Sequence, residues 1–227
     1  MNDLDLLAFA RGPALWLSLS MLFAGSLWRV IAILRLGSTP DLSAPRNTAR
    51  FAGAMRGVFG KMIARREFRG AAKLGAFQGY LYHIGLAVVA FGYLPHIAFF
   101  ERLTGISWPA LPEPLVYLAA GIAIVALLVV LLERLTDPLL RLISTFDDYF
   151  SWFVVFLPLV TGMAALGGWP THPGPGAPPY PLPLAIHLLS AELLFAWLPF
   201  GKLAHAFLVF ASRAVTGAAL ARKGAAL

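Results

Sequence analysis

The sequence of 227 residues contains no cysteine. That excludes, within this chain, a disulfide, an iron–sulfur cluster, a thiolate zinc site and the CxxCH attachment of c-type haem. Charge is scarce too: 13% of residues are Asp, Glu, Lys or Arg and 59% are hydrophobic, with a mean hydropathy of +0.75. A water-soluble domain does not carry that much apolar surface. Also missing are an internal repeat, a nucleophile–base constellation and a metal-hydrolase motif, so hydrolytic chemistry has no foothold.

What the chain does have is long apolar runs. About 20 apolar residues cross a hydrocarbon core of roughly 30 Å, and five runs qualify, at 12–34, 76–99, 114–133, 149–167 and 183–200. Spans must be helical to keep backbone groups paired in lipid. The expected fold is therefore all-α, a single integral membrane bundle of five transmembrane helices, with the last helix running on past His205. Asp3 and Asp5 stand where a signal peptide has its basic region, and no small-residue cleavage site follows, so the first run reads as a retained helix. Fifteen basic residues fall in the connections after the first and third runs and in the C-terminal segment, against Arg11 and Arg102 on the other side. The positive-inside rule then puts the N-terminus outside and the C-terminus in the cytoplasm of a bacterial inner membrane. The formal charge of +7 is mostly this topology signal, and nucleic acid is not an expected partner.

Two connections have character of their own. Over 48–70, Phe51, Met55, Val58, Phe59 and Met62 recur at helical spacing beside Arg50, Lys61, Arg65 and Arg66. This is a basic amphipathic helix, suited to the cytoplasmic lipid surface or to a docked soluble partner. The stretch 167–183 is proline-rich and reads as an irregular extracytoplasmic loop, with His172 as a solvent residue.

The other four histidines lie on two runs: His83 and His96 in the second, His187 and His205 in and beyond the fifth. Eighteen residues separate His187 from His205, five helical turns and about 27 Å on one helix face. Ionisable side chains in spans usually face a bundle interior; a neutral imidazole bonding a neighbouring helix is the bland alternative. The two runs are antiparallel, so depth pairs His83 with His205 near the cytoplasm and His96 with His187 near the outside. Imidazole pairs without further ligands suit haem iron, since zinc takes more protein ligands than two. Without a cysteine tether that haem is b-type. His83 and His96 are thirteen residues apart, roughly 220° around an ideal helix, so they share a face only if the helix turns. Pro95 supplies a cause for a turn.

At this point the chain resembles a known family. "HLLSAELLFAWLPFGKLAH", 187–205, is similar to the last span of the respiratory nitrate reductase gamma subunit, a five-span dihaem cytochrome b. "YHIGLAVVAFG" resembles that family's other ligand helix, while "GSLWRVIAILRLG" and "STFDDYFSWFVVFLPLVTG" match more loosely. The resemblance implies a haem b subunit with His83 and His205 on an inner iron and His96 and His187 on an outer iron. It also implies quinone or quinol as redox partner near the outer haem, and a cytoplasmic iron–sulfur subunit with its catalytic subunit. Related anchors belong to sulfite-reductase-associated and heterodisulfide-reductase-like complexes. The departure lies at the outer site. In the family the second ligand follows a glycine, ten residues after the first; here that position is Tyr93, and histidine comes one turn later as His96. Tyr93 is the second choice of ligand, and a single inner haem with a vestigial outer site is the bland alternative. The lysine of a nitrate-reductase-type quinol pocket has no counterpart.

Other polar residues remain open. Arg102 suits a propionate partner or a snorkelling surface group. Glu101 and Glu113 flank the outer end as proton acceptors for a quinol. Glu192 lies about 140° from the His187 face, where it can relay protons, bind a polar neighbour or sit neutral. Competing readings are a haem-free membrane anchor that recruits a soluble complex, and a small proton-coupled transporter, for which inverted repeats are missing.

Overall fold

A computed structural model describes residues 2–37, 41–60, 69–167 and 181–225. His172, most of the 167–183 loop, and Lys61, Arg65 and Arg66 lie outside the described residues. Those described form helices and no strand: α1 (Asp3–Phe9), α2 (Leu15–Arg35), α3 (Arg50–Gly60), α4 (Arg69–Gly92), α5 (Leu94–Thr104), α6 (Glu113–Thr136), α7 (Pro138–Ile143), α8 (Phe146–Gly167), α9 (Pro181–Trp197) and α10 (His205–Arg222). A π-helical turn, Ala10–Ala14, joins α1 to α2, so that 3–35 is one long apolar helix.

Four helical stretches are long and apolar enough to cross a membrane: Asp3–Arg35, Glu113–Thr136, Phe146–Ala165 and Lys202–Arg222. Counted as one broken span, α4 with α5 makes a fifth. Their outer faces are apolar: Phe23, Leu34, Leu118, Val125 and Leu132 are each at least 60% exposed, as expected of side chains solvated by lipid tails.

The second span bends by 64° between α4 and α5. Tyr93 is extended there, with φ −83° and ψ 127°, and Pro95 sits in the first turn of α5. Proline has no N–H for the carbonyl four residues back. That carbonyl, of Phe91, accepts instead from Trp108 Nε1 at 2.6 Å, and the carbonyl of Gly92 accepts from Leu111 N at 2.9 Å. The turn that Pro95 suggested is present, and the 105–112 connection satisfies the backbone it frees.

The fifth run departs from expectation. A continuous helix from 183 through 205 does not form: α9 ends at Trp197, Leu198–Gly201 turn sharply, and a 3₁₀ turn, Lys202–Ala204, leads into α10. His187 and His205 therefore stand on different helices rather than on one face of a single one. α9 is short for a span, and α10 has the length and composition of one.

Packing runs in a series, α4 on α6, α6 on α8, α8 on α9, and α9 on α2. Between α6 and α8 lie buried Ala123, Leu127 and Leu159, with Trp152 and Phe156 stacked at their edge and Trp152 Nε1 donating to the Leu127 carbonyl. Apart from this series, α3 crosses α10. Gly53 and Gly57 meet Gly217 and Ala221 so closely that a Cβ on any of the three glycines would overlap the opposite helix. Small residues at such spacing let helix backbones touch. Arg222 extends the joint, pairing with Asp41 at 3.3 Å, and its carbonyl accepts from Arg46 N. On α3, Phe51, Met55 and Phe59 remain exposed on the side away from α10.

Candidate functional site: two imidazole pairs

Bend and break together bring the four histidines into two pairs. The rings of His83 and His205 lie 6.0 Å apart, nearly perpendicular at 80°. Those of His96 and His187 also lie 6.0 Å apart, nearly parallel at 20°. These are the pairs that depth alone suggested, although the helices carrying them are broken where continuity was expected.

Three of the four rings have a definite tautomer. His83 Nδ1 is 2.7 Å from the Gly79 carbonyl, His96 Nδ1 is 2.8 Å from Val89 O, and His205 Nδ1 is 2.8 Å from Lys202 O. A carbonyl only accepts, so each Nδ1 carries the hydrogen and each Nε2 keeps its lone pair. Metal-ligating histidines are held in this way, by an acceptor on the other ring nitrogen. His187 Nδ1 has a longer contact, 3.4 Å, with Thr161 Oγ1, which is tied to Ser190 Oγ at 2.8 Å.

The inner pair depends on the break at Leu198–Gly201, and three side chains cap it. Arg29 of α2 donates through one Nη to the carbonyls of Pro199 and Phe200, 3.1 Å each. Asp147 of α8 accepts from Lys202 N at 3.0 Å, as an N-cap would. Asp148 pairs with the Lys202 ammonium at 2.6 Å and with Arg134 at 3.0 Å. Gly201 is needed because a Cβ there would press on Trp197 Nε1 and Asp147 Oδ1. The stretches around Gly25–Arg29, Phe146–Asp148 and Pro199–Lys202 thus converge on the residue run that sets His205. The sequence shows each stretch but not their joint role. The signal available was an arginine inside one apolar run and an Asp-Asp pair at the start of another, charges that membrane helices keep only with partners.

The outer pair depends on Pro95. His96, on the first turn of α5, is half-buried and faces Tyr93 edge-on at 5.3 Å. Tyr93 lies beside His96 at the bend, so both outer ligand choices sit at one place. Gly162 of α8 touches the other ring: a Cβ there would be 3.0 Å from His187 Cε1. Near this end Tyr117 donates to Glu113 at 3.3 Å. Arg102 folds back on its own helix, donating to Ala98 O, and Glu101 is exposed. Glu192 is buried but faces α2, away from the imidazoles. Deep beside α4, Gln78 donates to Glu133 at 3.0 Å.

The fit of haem can be tested on this geometry. Among the described residues no three His, Asp or Glu side chains gather as a metal cage; each pair offers two nitrogens and no more. Two imidazole nitrogens at about 2 Å from one metal put their ring centroids roughly 6 Å apart, which is the spacing seen at both levels. Among the described residues α4 packs chiefly on α6, and α9 on α8 and the first span, while neither α4 with α10 nor α5 with α9, the helices that carry the pairs, is among the main helix contacts. A Cβ on Gly79, one turn before His83, would meet nothing within 4 Å. His83 and His205 are themselves exposed. The residues fit a flat group that brings its own equatorial ligands.

Fold and site define an all-helical protein of membrane-length apolar helices with histidines paired at two levels. No protein-family model matches the chain, and no solved structure matches it. It is 31% identical over 214 residues to a protein of Nitratidesulfovibrio vulgaris whose name states no activity, a match covering 92% of this chain and 91% of that one. The chain belongs to one family with that protein.

Proposed function

We propose that this chain is a haem b membrane subunit of a respiratory redox complex, related to the nitrate reductase gamma subunit. In this reading it sits in a bacterial inner membrane with its N-terminus outside. It moves electrons between the quinone pool and a cytoplasmic iron–sulfur partner that serves a catalytic subunit. The observation that carries the reading is the pair of 6.0 Å imidazole couples, at two levels, with Nδ1–H groups held by backbone carbonyls.

His83 and His205 hold the inner iron, and His96 and His187 the outer one. Bound haem supplies a one-electron carrier at each level. The chain's own work is orientation. The carbonyls of Gly79, Val89 and Lys202 fix ring rotation and keep Nε2 available. Arg29 and Asp147 hold the backbone that presents His205. The bend at Tyr93 turns His96 toward α9. Gly162 of α8 lies against the His187 ring.

The test is a visible spectrum of purified protein, oxidised and dithionite-reduced, with haem counted per chain. Two b-type haems are expected. His83→Ala and His205→Ala should each remove one and the same haem, and His96→Ala and His187→Ala the other. A colourless protein from haem-replete cells would overturn the reading in favour of a haem-free anchor.

A further inference from the structure

A second site lies on the opposite side of α9 from the imidazoles. Between α9 and the first span is a cleft of about 310 Å³, walled by Pro13, Leu17 and Met21 on one side and Leu189 and Leu193 on the other. Leu17 is 63% exposed and Met21 38%, so the cleft opens outward along the face that lipid covers. Pro13 and Ala14 of its lining belong to the π-helical turn Ala10–Ala14. Pro13 lies inside that turn and withholds a backbone donor, and a π-turn widens the helix at that point; such turns recur at functional sites.

One carboxyl sits in this apolar cleft. Glu192 is 6% exposed, and its Oε2 has no hydrogen-bond partner among the described residues. Ser18, the other polar liner, has its hydroxyl committed to the Leu15 carbonyl at 2.9 Å. A buried carboxyl oxygen without a donor is costly unless a ligand completes it. Size narrows the ligand. An apolar cavity of about 150 Å³ holds a benzene ring, and this cleft has about twice that volume. A two-ring head fits, with its hydroxyl at Glu192 and its tail leaving between Leu17 and Met21 into lipid.

We infer that this cleft binds the head of a bicyclic, naphthoquinol-class lipid, with Glu192 as its hydrogen-bond partner. The inference rests on the quinone-linked reading above, and it assigns a ring class and a place. Glu192 stands five residues from His187, about 7.5 Å along the helix, so the bound ring and the outer imidazole pair occupy two faces of the same helix.

The experiment is calorimetric titration of the full chain in nanodiscs, dithionite-reduced and anaerobic, with the reduced form of 2-methyl-1,4-naphthoquinone. Parallel titrations use trimethylhydroquinone, 1-methylnaphthalene and decanol. Wild-type protein should bind the naphthoquinol saturably and more tightly than the other three. Glu192→Ala should weaken it at least tenfold, and Ala196→Phe, which fills the cleft from α9, should abolish it. Both variants should keep wild-type haem content and helicity. Unchanged binding in both variants would overturn the site. So would equal binding of decanol or methylnaphthalene, which marks a slot for lipid tails, or no naphthoquinol binding by the wild type. Loss of the haem spectrum in the wild type would instead overturn the electron-transfer reading and leaves this measurement intact.

Discussion

Replacing Gly162 with alanine tests the outer pair through a single methyl group. The added Cβ would stand 3.0 Å from His187 Cε1 and 3.2 Å from Nδ1. Ordinary carbon contacts lie at about 3.5–4.0 Å, so the ring has to retreat by roughly half an ångström. Retreat would draw Nδ1 off Thr161 Oγ1, now at 3.4 Å, and change the 6.0 Å spacing to the His96 ring. Overpacking of this size costs about 1–3 kcal/mol. If the strain is relieved at the iron, outer haem affinity falls roughly five- to hundredfold, at 1.4 kcal/mol per tenfold. The assay is haem loss to excess apomyoglobin, followed spectrally, with Gly121→Ala as control because a Cβ there meets nothing within 4 Å. Gly162→Ala should lose one haem faster and hold the other as before, while the control keeps both. Two haems lost at wild-type rates from Gly162→Ala would refute the ligation of the outer iron by His187.

Two further outcomes follow from polar contacts at the opposite end. Arg29→Met keeps the aliphatic stem but leaves the Pro199 and Phe200 carbonyls without their donor. At about 1.5–3 kcal/mol for hydrogen bonds to a charged group, the thermal midpoint should fall and the haem that depends on His205 should be lost first. Equal retention of both haems would show that the break needs no cap. Asp41 has its carboxyl held down to about 2, first by hydrogen bonds from the Ser43 hydroxyl and amide and then by Arg222. Its folded value is depressed, so its contribution is complete above the ordinary carboxylate range and disappears as pH falls through about 2. Carbon NMR of Asp41 should show a larger upward shift in Ser43→Ala than in Arg222→Ala.

The helical, lipid-facing character of the chain was legible because apolar runs of span length have few other uses. The bend was legible too, since Pro95 has one backbone consequence wherever it falls. The break after Trp197 was not. Pro199 and Gly201 inside an apolar run are compatible with a kinked but continuous span, and the groups that cap the open turn, Arg29, Asp147 and Asp148, are distant in sequence. Likewise the spacing of Gly53, Gly57 and Gly217 signals close approach but does not name the partner. Pairing by depth survived the failed continuity because it required only that the two runs be antiparallel. Glu192 was correctly set apart from the imidazole face by helical angle, whereas its cleft required knowing that the first span packs there.

The two imidazole couples are nested along the chain, 96 with 187 inside 83 with 205. During synthesis the enclosed couple has both members once residue 187 has emerged, while the enclosing couple waits for α10. α10 is also the helix that must find α3, whose glycine ridge is made long before and stays bare until then. The joint with α3 needs Gly217 and Ala221, so it closes only after every member of both couples has been made.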